Sequence, residues 1–148
     1  LSIFKRRVAG MYETIDHTAD IGVRVGAPNL RDLFISCASA LADISVDILK
    51  NQIPSIDVPI FIEAPCLEEL LVKWLQEILF VSETRRLVLS SFWIDEIDER
   101  HLIGSARGVK YDPVRHRQKL LVKGVTYHNI DVSKQSDGSW SAKIIFDV

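Results

Sequence analysis

Two segments of the chain space their apolar residues with the period of an amphipathic helix. In the first, apolar residues recur at intervals of three and four from Leu30 to Ile44, and Asn29 stands where a helix N-cap is favoured. In the second, the apolar stripe runs from Leu67 to Leu79, with acidic residues at its start and basic residues near its end. The pattern predicts two helices that bury Leu33, Phe34, Leu71 and Trp74.

The remaining segments have the composition of β-strands. Residues 56–63 alternate apolar and polar side chains, and Pro59 indicates an edge strand. Further strands are predicted at 12–15, 20–25, 88–97, 101–110, 120–132 and 140–148. The resulting order is β-β-α-β-α-β-β-β-β. It predicts an α+β fold with a largely antiparallel sheet and two amphipathic helices packed on it.

The length of 148 residues suits one domain, which we expect to span residues 11–148. Residues 1–10 are expected to be a disordered leader without a role in the fold. No apolar run approaches the roughly 18 residues of a membrane helix, so no membrane segment is predicted. The two cysteines, Cys37 and Cys66, form no C-x-x-C pair, which favours free thiols in the reducing cytoplasm.

Common catalytic motifs, such as the phosphate-binding P-loop and the H-E-x-x-H zinc motif, do not occur in the sequence. The densest polar cluster is Asp16-His17-Thr18-Ala19-Asp20. Its two carboxylates and imidazole could bind a cation or transfer protons, or they could form a local turn.

The end of the given sequence offers further oxygen ligands. Asp147 and the terminal carboxylate of Val148 can converge and, with Asp20, form a set that suits Ca²⁺, Mg²⁺ or Mn²⁺. The alternative is a frayed terminus that binds nothing. Against fraying, the three preceding residues are apolar, which predicts a strand tied into the sheet.

Charge is unevenly distributed along the chain. Residues 100–123 hold seven Lys or Arg and one acid, whereas residues 11–99 hold six bases and sixteen acids. Lys123 is expected inside an apolar strand, and His116 and His128 are either ligands or hydrogen-bonded surface residues. A phosphate-binding face, or else a solvated sheet face, is predicted from Arg107, Arg115, Arg117, Lys119 and Tyr127.

Four blocks, DHTADIGV, CLEELLVKWLQEILF, VKGVTYH and IIFDV, occur in this order and together resemble the archease family over roughly residues 12–148. The resemblance implies a small α+β protein that assists an RtcB-type RNA ligase in tRNA splicing. That ligase joins RNA ends using GTP and a divalent metal. An archease promotes guanylylation and turnover of the ligase, so the chain is expected to be a protein cofactor rather than an enzyme.

The resemblance also implies a divalent cation site, taken to be calcium with magnesium or manganese as alternatives. Its protein ligands correspond to Asp20, Asp147 and Val148, and the functional lysine of the family corresponds to Lys123. Asp16, His17 and His128 are further candidate functional residues. The sequence departs from the family at Gly124, where alanine is usual, and at 108–110, where a Gly-Glu pair is common.

Two other functions remain open from the residues alone. The same carboxylates could serve a metal-dependent phosphoesterase or nuclease, with His17 as the local base. Residues 100–123 could instead form a simple RNA-binding module. In the favoured interpretation the partner is the RNA ligase, and tRNA is contacted through the ligase complex.

Overall fold

A computed structural model describes residues 6–7, 12–16, 20–48 and 52–148, and it has two helices among short and long strands. The helices are α1 (Leu30–Ser45) and α2 (Leu67–Arg85). The strands are β1 (Arg6–Arg7), β2 (Tyr12–Asp16), β3 (Asp20–Ala27), β4 (Val46–Ile48), β5 (Ile56–Glu63), β6 (Leu87–Ile97), β7 (His101–Lys110), β8 (His116–Gln118), β9 (Gly124–Lys134) and β10 (Trp140–Asp147).

The described strands form three antiparallel sheets rather than the single sheet expected from the sequence. Their orders are β1-β2-β3-β10-β9, β4-β8 and β5-β7-β6. The division arises because the β6–β7 hairpin pairs with β5, whereas the β9–β10 hairpin joins β3. Helix α1 packs on β3 and β6, and α2 packs on β9 and β5, so each helix bridges the two larger sheets. The α+β class is confirmed.

Both predicted helices are present, and their apolar stripes form the core. The side-chain oxygen of Asn29 accepts a hydrogen bond from the backbone N–H of Asp32 at 2.8 Å, which confirms the predicted N-cap. The indole N–H of Trp74 donates to the carbonyl of Phe34 at 3.0 Å and joins the two helices. As predicted, the fully buried side chains include Leu33, Phe34, Leu71 and Trp74.

The predicted strand 120–132 begins four residues later than expected, at Gly124. The preceding segment instead runs past the end of α1, where the backbone N–H groups of Lys119 and Leu120 donate to the carbonyls of Ser45 and Ile44. These carbonyls lie in the last turn of the helix and lack intrahelical partners. The segment therefore satisfies the helix end instead of pairing in a sheet.

The predicted leader differs from expectation at two residues. Arg6–Arg7 pair with Tyr12 and Glu13 as a short edge strand of the five-stranded sheet. The other leader residues up to position 10 lie outside the described residues.

The two cysteines are free thiols in different environments. Cys37 is fully buried on α1, and burial raises the pKa of its thiol well above the usual range. Cys66 is partly buried at the start of α2 and makes no side-chain cap hydrogen bond. In the described part of the chain, no helix is long and apolar enough to cross a membrane.

Candidate functional site

One row of residues crosses three strands at an end of the five-stranded sheet. Asp147 on β10 is the direct pairing partner of Asp20 on β3 and of Gly124 on β9. Directly paired residues project their side chains from the same face, with Cβ atoms about 4.5–5.5 Å apart. The carboxylates of Asp20 and Asp147 are therefore neighbours on one face, within reach of a single cation.

The next row shows which face this is. Phe146 pairs with Ile21 and with Val125, and both Phe146 and Val125 are buried in the core under the helices. Because successive side chains of a strand alternate between faces, Asp20 and Asp147 point away from the helices. Asp147 is exposed and Asp20 is partly exposed, so a metal ion or a partner can reach the pair.

Gly124 leaves open space in the same row. A Cβ built on this residue would have nothing within 4 Å. Two like charges directly opposite each other destabilise a sheet, and a bound cation removes that repulsion. Oxygen-rich sites of this kind suit hard cations such as calcium, magnesium and manganese. The donor set and the space around it therefore fit a divalent cation.

Val148 follows the pair directly, and its side chain packs against the hydrophobic core. This packing holds its main-chain oxygen atoms close to Asp147. Among the described residues, no three His, Cys, Asp or Glu side chains lie together so that they could hold a metal ion. A cation site here would therefore use the side-chain carboxylates of Asp20 and Asp147 and main-chain oxygen of Val148, and this ligand set stays a prediction.

Lys123 lies beside the carboxylate pair but outside any strand. Its backbone N–H donates to the carbonyl of Asp147 at 2.7 Å, immediately before β9 begins at Gly124. The residue is exposed, so the expectation of a lysine inside an apolar strand is wrong. The hydrogen bond fixes the backbone of Lys123 next to the proposed metal ligands.

The cluster that sequence analysis predicted around Asp16 is only partly described. Asp16 pairs with Ile21, one row away from Asp20, so its backbone lies at the same end of the sheet. His17 lies outside the described residues. The proposed roles of Asp16 and His17 remain predictions.

His128 is displayed on a bulge rather than in the carboxylate row. The pairing of β9 with β10 jumps from Asp131 to Thr126, so four β9 residues face a single residue of β10. Within this bulge Asn129 adopts a left-handed conformation with φ 56°, a position that asparagine tolerates. The backbone N–H of His128 donates to the Thr126 hydroxyl at 3.0 Å, and His128 is exposed.

The basic residues of the C-terminal third lie on several different elements. Nε of Arg107 on β7 lies 3.5 Å from Oδ1 of Asp57, and Nη2 of Arg117 on β8 lies 2.7 Å from Oδ2 of Asp47. Arg115 is in a turn, 3.9 Å from the carboxylate of Asp112. The phosphate-binding face stays a prediction: its arginines lie on separate elements, and each has a carboxylate oxygen within 4 Å. Tyr127 is exposed on the β9 bulge.

Comparison with known proteins identifies the family of the chain. The family model described as the archease protein family (MTH1598/TM1083) matches residues 12–148. The chain is similar to the archease of Methanopyrus kandleri, with 39% identity over 140 residues, 93% of this chain and 99% of the relative. It is 34% identical to the archease of Pyrococcus furiosus, over 93% of this chain and 98% of the relative. The chain belongs to the archease family.

Two solved structures share the fold. A Methanobacterium thermoautotrophicum protein aligns with a TM-score of 0.71 and 30% identity, over 93% of this chain and 98% of that chain. An archease of Thermotoga maritima, described as a possible chaperone, aligns with a TM-score of 0.62 and 14% identity, over 90% and 94% of the two chains. The α+β fold and the family assignment drawn from the four sequence blocks are thereby confirmed.

Proposed function

We propose that this protein activates an RtcB-type RNA ligase by promoting guanylylation and turnover of that ligase during tRNA splicing. The observation that carries the proposal is the pair of opposed, solvent-accessible carboxylates Asp20 and Asp147 in an archease fold. The protein acts as an accessory factor and catalyses no step itself. The free thiols of Cys37 and Cys66 support action in the reducing cytoplasm.

A divalent cation, calcium first and magnesium or manganese as alternatives, completes the proposed site. Asp20, Asp147 and the carboxylate of Val148 would hold it. When bound, the cation supplies positive charge that can engage a phosphate or a nucleotide on the ligase. Three carboxylates from two regions of the chain give the charge count that hard-cation sites use to set their affinity.

In this proposal, Lys123 next to the carboxylate pair contacts the ligase directly. Lys123 is exposed and its backbone lies next to Asp147, so its ammonium group is available to attract a phosphate of the partner. Its backbone hydrogen bond to Asp147 keeps that carboxylate at the end of β10. Because the row points away from the helices, docking needs no rearrangement of the core.

A ligase assay with and without the protein tests this function. Substoichiometric protein should restore multiple turnovers and guanylylation of the ligase, and Asp20→Asn should abolish the effect because Asn contributes no charge. Asp131→Asn is the matched control, since Asp131 is an exposed carboxylate of the same sheet that pairs with Lys143 instead of an acid. Equal activity with and without the protein would refute the proposal.

The same samples test the other two functions. Cleavage of RNA or a phosphate ester by the protein alone, lost in Asp20→Asn, would indicate a metal-dependent nuclease or phosphoesterase. Tight binding to RNA alone, falling steeply with salt, would indicate an RNA-binding module. Under the proposed function, free RNA binds weakly at physiological salt and the protein alone turns over no substrate.

A further inference from the structure

The three-stranded sheet leaves an aromatic face uncovered on the side away from the helices. Phe61 on β5 pairs with Ile103 on β7, and Trp93 on β6 pairs with Ser105, two residues further along β7. Phe61 is 59% exposed and Trp93 is 56% exposed. We call the surface formed by Phe61, Ile103 and Trp93 the aromatic face. Large aromatic side chains grouped on one open surface are unusual unless they serve binding.

The aromatic face continues over the sheet edge onto α2. Phe61 and Phe80, which is 61% exposed, line a shallow groove of about 380 Å³. Lys73 also lines this groove, and its ammonium group donates a hydrogen bond to the backbone carbonyl of Glu63 at 2.9 Å. A partner thus meets both a flat aromatic surface and an indentation that can accept a side chain.

Trp93 is held in place before any partner binds. Its indole N–H donates to the carboxylate of Asp95 at 3.1 Å. The guanidinium of Arg31 lies over the ring, 5.9 Å from its centroid, and donates to the backbone carbonyl of Asp95 at 3.1 Å. A side chain that is already ordered loses less entropy on binding, which is typical of an anchor residue in an interface.

The charges around the aromatic face are net negative. Strands β5, β6 and β7 with the β6–β7 turn carry six acidic and three basic residues, and the bases are Arg100, Arg107 and Lys110. Arg31 over Trp93 and Lys73 in the groove add two bases, and Glu77 in the groove adds one acid, so seven acids stand against five bases. All six carboxylates of the strands and the turn are on exposed residues: Asp57, Glu63, Asp95, Glu96, Asp98 and Glu99.

The negative charge of this surface favours one of the three classes of partner that an aromatic surface can bind. Single-stranded RNA stacks on aromatic residues but is repelled by an acidic surround. A second copy in a two-fold dimer would bring the acidic surround against itself. A protein surface that combines apolar side chains with Lys and Arg complements both features.

We propose that the aromatic face is a second docking surface for the RNA ligase, separate from the carboxylate row and binding a basic, partly apolar patch of that enzyme. This inference rests on the proposed function for the identity of the partner. An enzyme that holds RNA needs basic surface, so a ligase offers the required charge. The aromatic face supplies affinity, while the carboxylate row supplies activation.

The test measures binding and activation separately in the full-length protein. Calorimetric titration with the purified ligase should show that Phe61→Ser and Trp93→Ser each weaken binding by about tenfold or more. Glu99→Lys should weaken binding through charge alone. At saturating protein, activation should remain that of the unaltered chain, because Asp20 and Asp147 are untouched.

Matched controls use residues remote from the aromatic face. Val114→Ser removes an apolar side chain that is 72% exposed in a turn, and Asp131→Lys reverses an exposed charge on β9 of the five-stranded sheet. Both should bind the ligase like the unaltered protein. All variants alter exposed side chains, and unchanged thermal unfolding midpoints verify that each is folded.

The possible results distinguish the docking surface from the proposed function. Unaltered ligase affinity in both Phe61→Ser and Trp93→Ser would overturn it while leaving the proposed function intact. Binding of the ligase that depends on Phe61 and Trp93 but brings no activation would support the docking surface and refute the proposed function. Absence of ligase binding by the unaltered protein would refute both. Tight binding to a 20-nucleotide RNA, or self-association in sedimentation, that is lost in Trp93→Ser would overturn the inference in favour of RNA or of a second copy.

Discussion

The backbone N–H of Asp112 donates a hydrogen bond of 2.9 Å to Nδ1 of His116, a residue that is only 1% exposed. Because Nδ1 accepts, the ring proton is assigned to Nε2, which lies 2.6 Å from the side-chain oxygen of Gln52. The ring of Tyr111 stacks on the imidazole with centroids 5.8 Å apart. His116 therefore joins the segment before β5 to the loop between β7 and β8.

Replacing His116 by phenylalanine tests this role. Phe keeps the bulk and the stacking but leaves the N–H of Asp112 without its acceptor and Gln52 without its donor. Each unsatisfied buried group costs about 1–3 kcal/mol, so urea unfolding should show a loss in that range or above. His128→Phe is the control, because His128 is exposed. Equal stability of the two variants would contradict the structural role of His116.

Leu71 tests the packing of α2 on the sheets. It is completely buried, and truncation to alanine leaves a cavity between the helices and the strands. The free energy of unfolding should fall by about 2–5 kcal/mol. Leu121→Ala removes a side chain that is 58% exposed and should change stability by less than about 0.5 kcal/mol. A small effect at Leu71 would mean that α2 does not pack as described.

The Asp98 carboxylate is expected to stabilise the fold in a pH-dependent way. Hydrogen bonds from the backbone N–H groups of Arg100 and His101 hold the pKa of its carboxyl below the usual value, with a smaller contribution from the His101 side chain. A lowered folded-state pKa stabilises the protein above the ordinary pKa, near 3.8, and this contribution is lost as the pH falls through the lower folded value.

The Asp98→Asn variant isolates that contribution. Its unfolding free energy should lie below that of the unaltered protein at pH 7, and the gap should shrink as the pH falls below about 4. Denaturant unfolding at several pH values measures the gap. Asp131→Asn is the control, since within the described part of the chain the Asp131 carboxylate accepts a bond from the Ser133 hydroxyl rather than from backbone N–H groups. A gap that stays constant down to low pH would contradict the assignment.

Local features of the fold could be predicted from the sequence because neighbouring residues determine them. The Asn29 cap bonds to a residue three positions away, and the Asp98 carboxylate accepts bonds from the N–H groups two and three residues further on. The start of β9 was misplaced because Leu120 is apolar yet bonds to the end of α1, far away in sequence. The division into separate sheets likewise depends on which distant strands pair.

In the candidate site, too, the sequence could not predict the contacts between distant residues. Asp20 and Asp147 are 127 positions apart, and no periodicity fixes their register. The sequence and the family resemblance could therefore name them as candidate ligands of one cation, but only the structure shows that they pair directly. His116 was expected at the surface because no local pattern reveals its burial against Gln52. The aromatic face was missed because alternation in β5 does not show which face of a sheet remains uncovered.

Direct metal titration tests the proposed ligands one by one. Asp147→Asn should abolish calcium binding in calorimetry, because it removes one of the two opposed side-chain charges. A chain that continues beyond Val148 should also lose binding, since its carboxylate becomes a neutral amide, whereas an N-terminal extension should have no effect. Calcium affinity that survives the C-terminal extension would show that the Val148 carboxylate is not a ligand.

Gly124 allows a gain of affinity at the same site. It pairs with Asp147 on the side away from Asp20, its φ is not positive, and a Cβ atom there would meet nothing within 4 Å. Gly124→Asp therefore adds a third side-chain carboxylate to the row without a clash. Since hard-cation sites gain affinity with each anionic oxygen, calcium should bind about tenfold more tightly.

Without metal, the added charge should lower the stability of the Gly124→Asp variant, because three like charges then stand in one row. Calcium should consequently raise its thermal unfolding midpoint by more than it raises that of the unaltered protein. Gly124→Asn has almost the same shape without the charge, and it should show neither the destabilisation nor the tenfold gain. If Gly124→Asp and Gly124→Asn bind calcium equally, the cation does not sit on the row formed by Asp20 and Asp147.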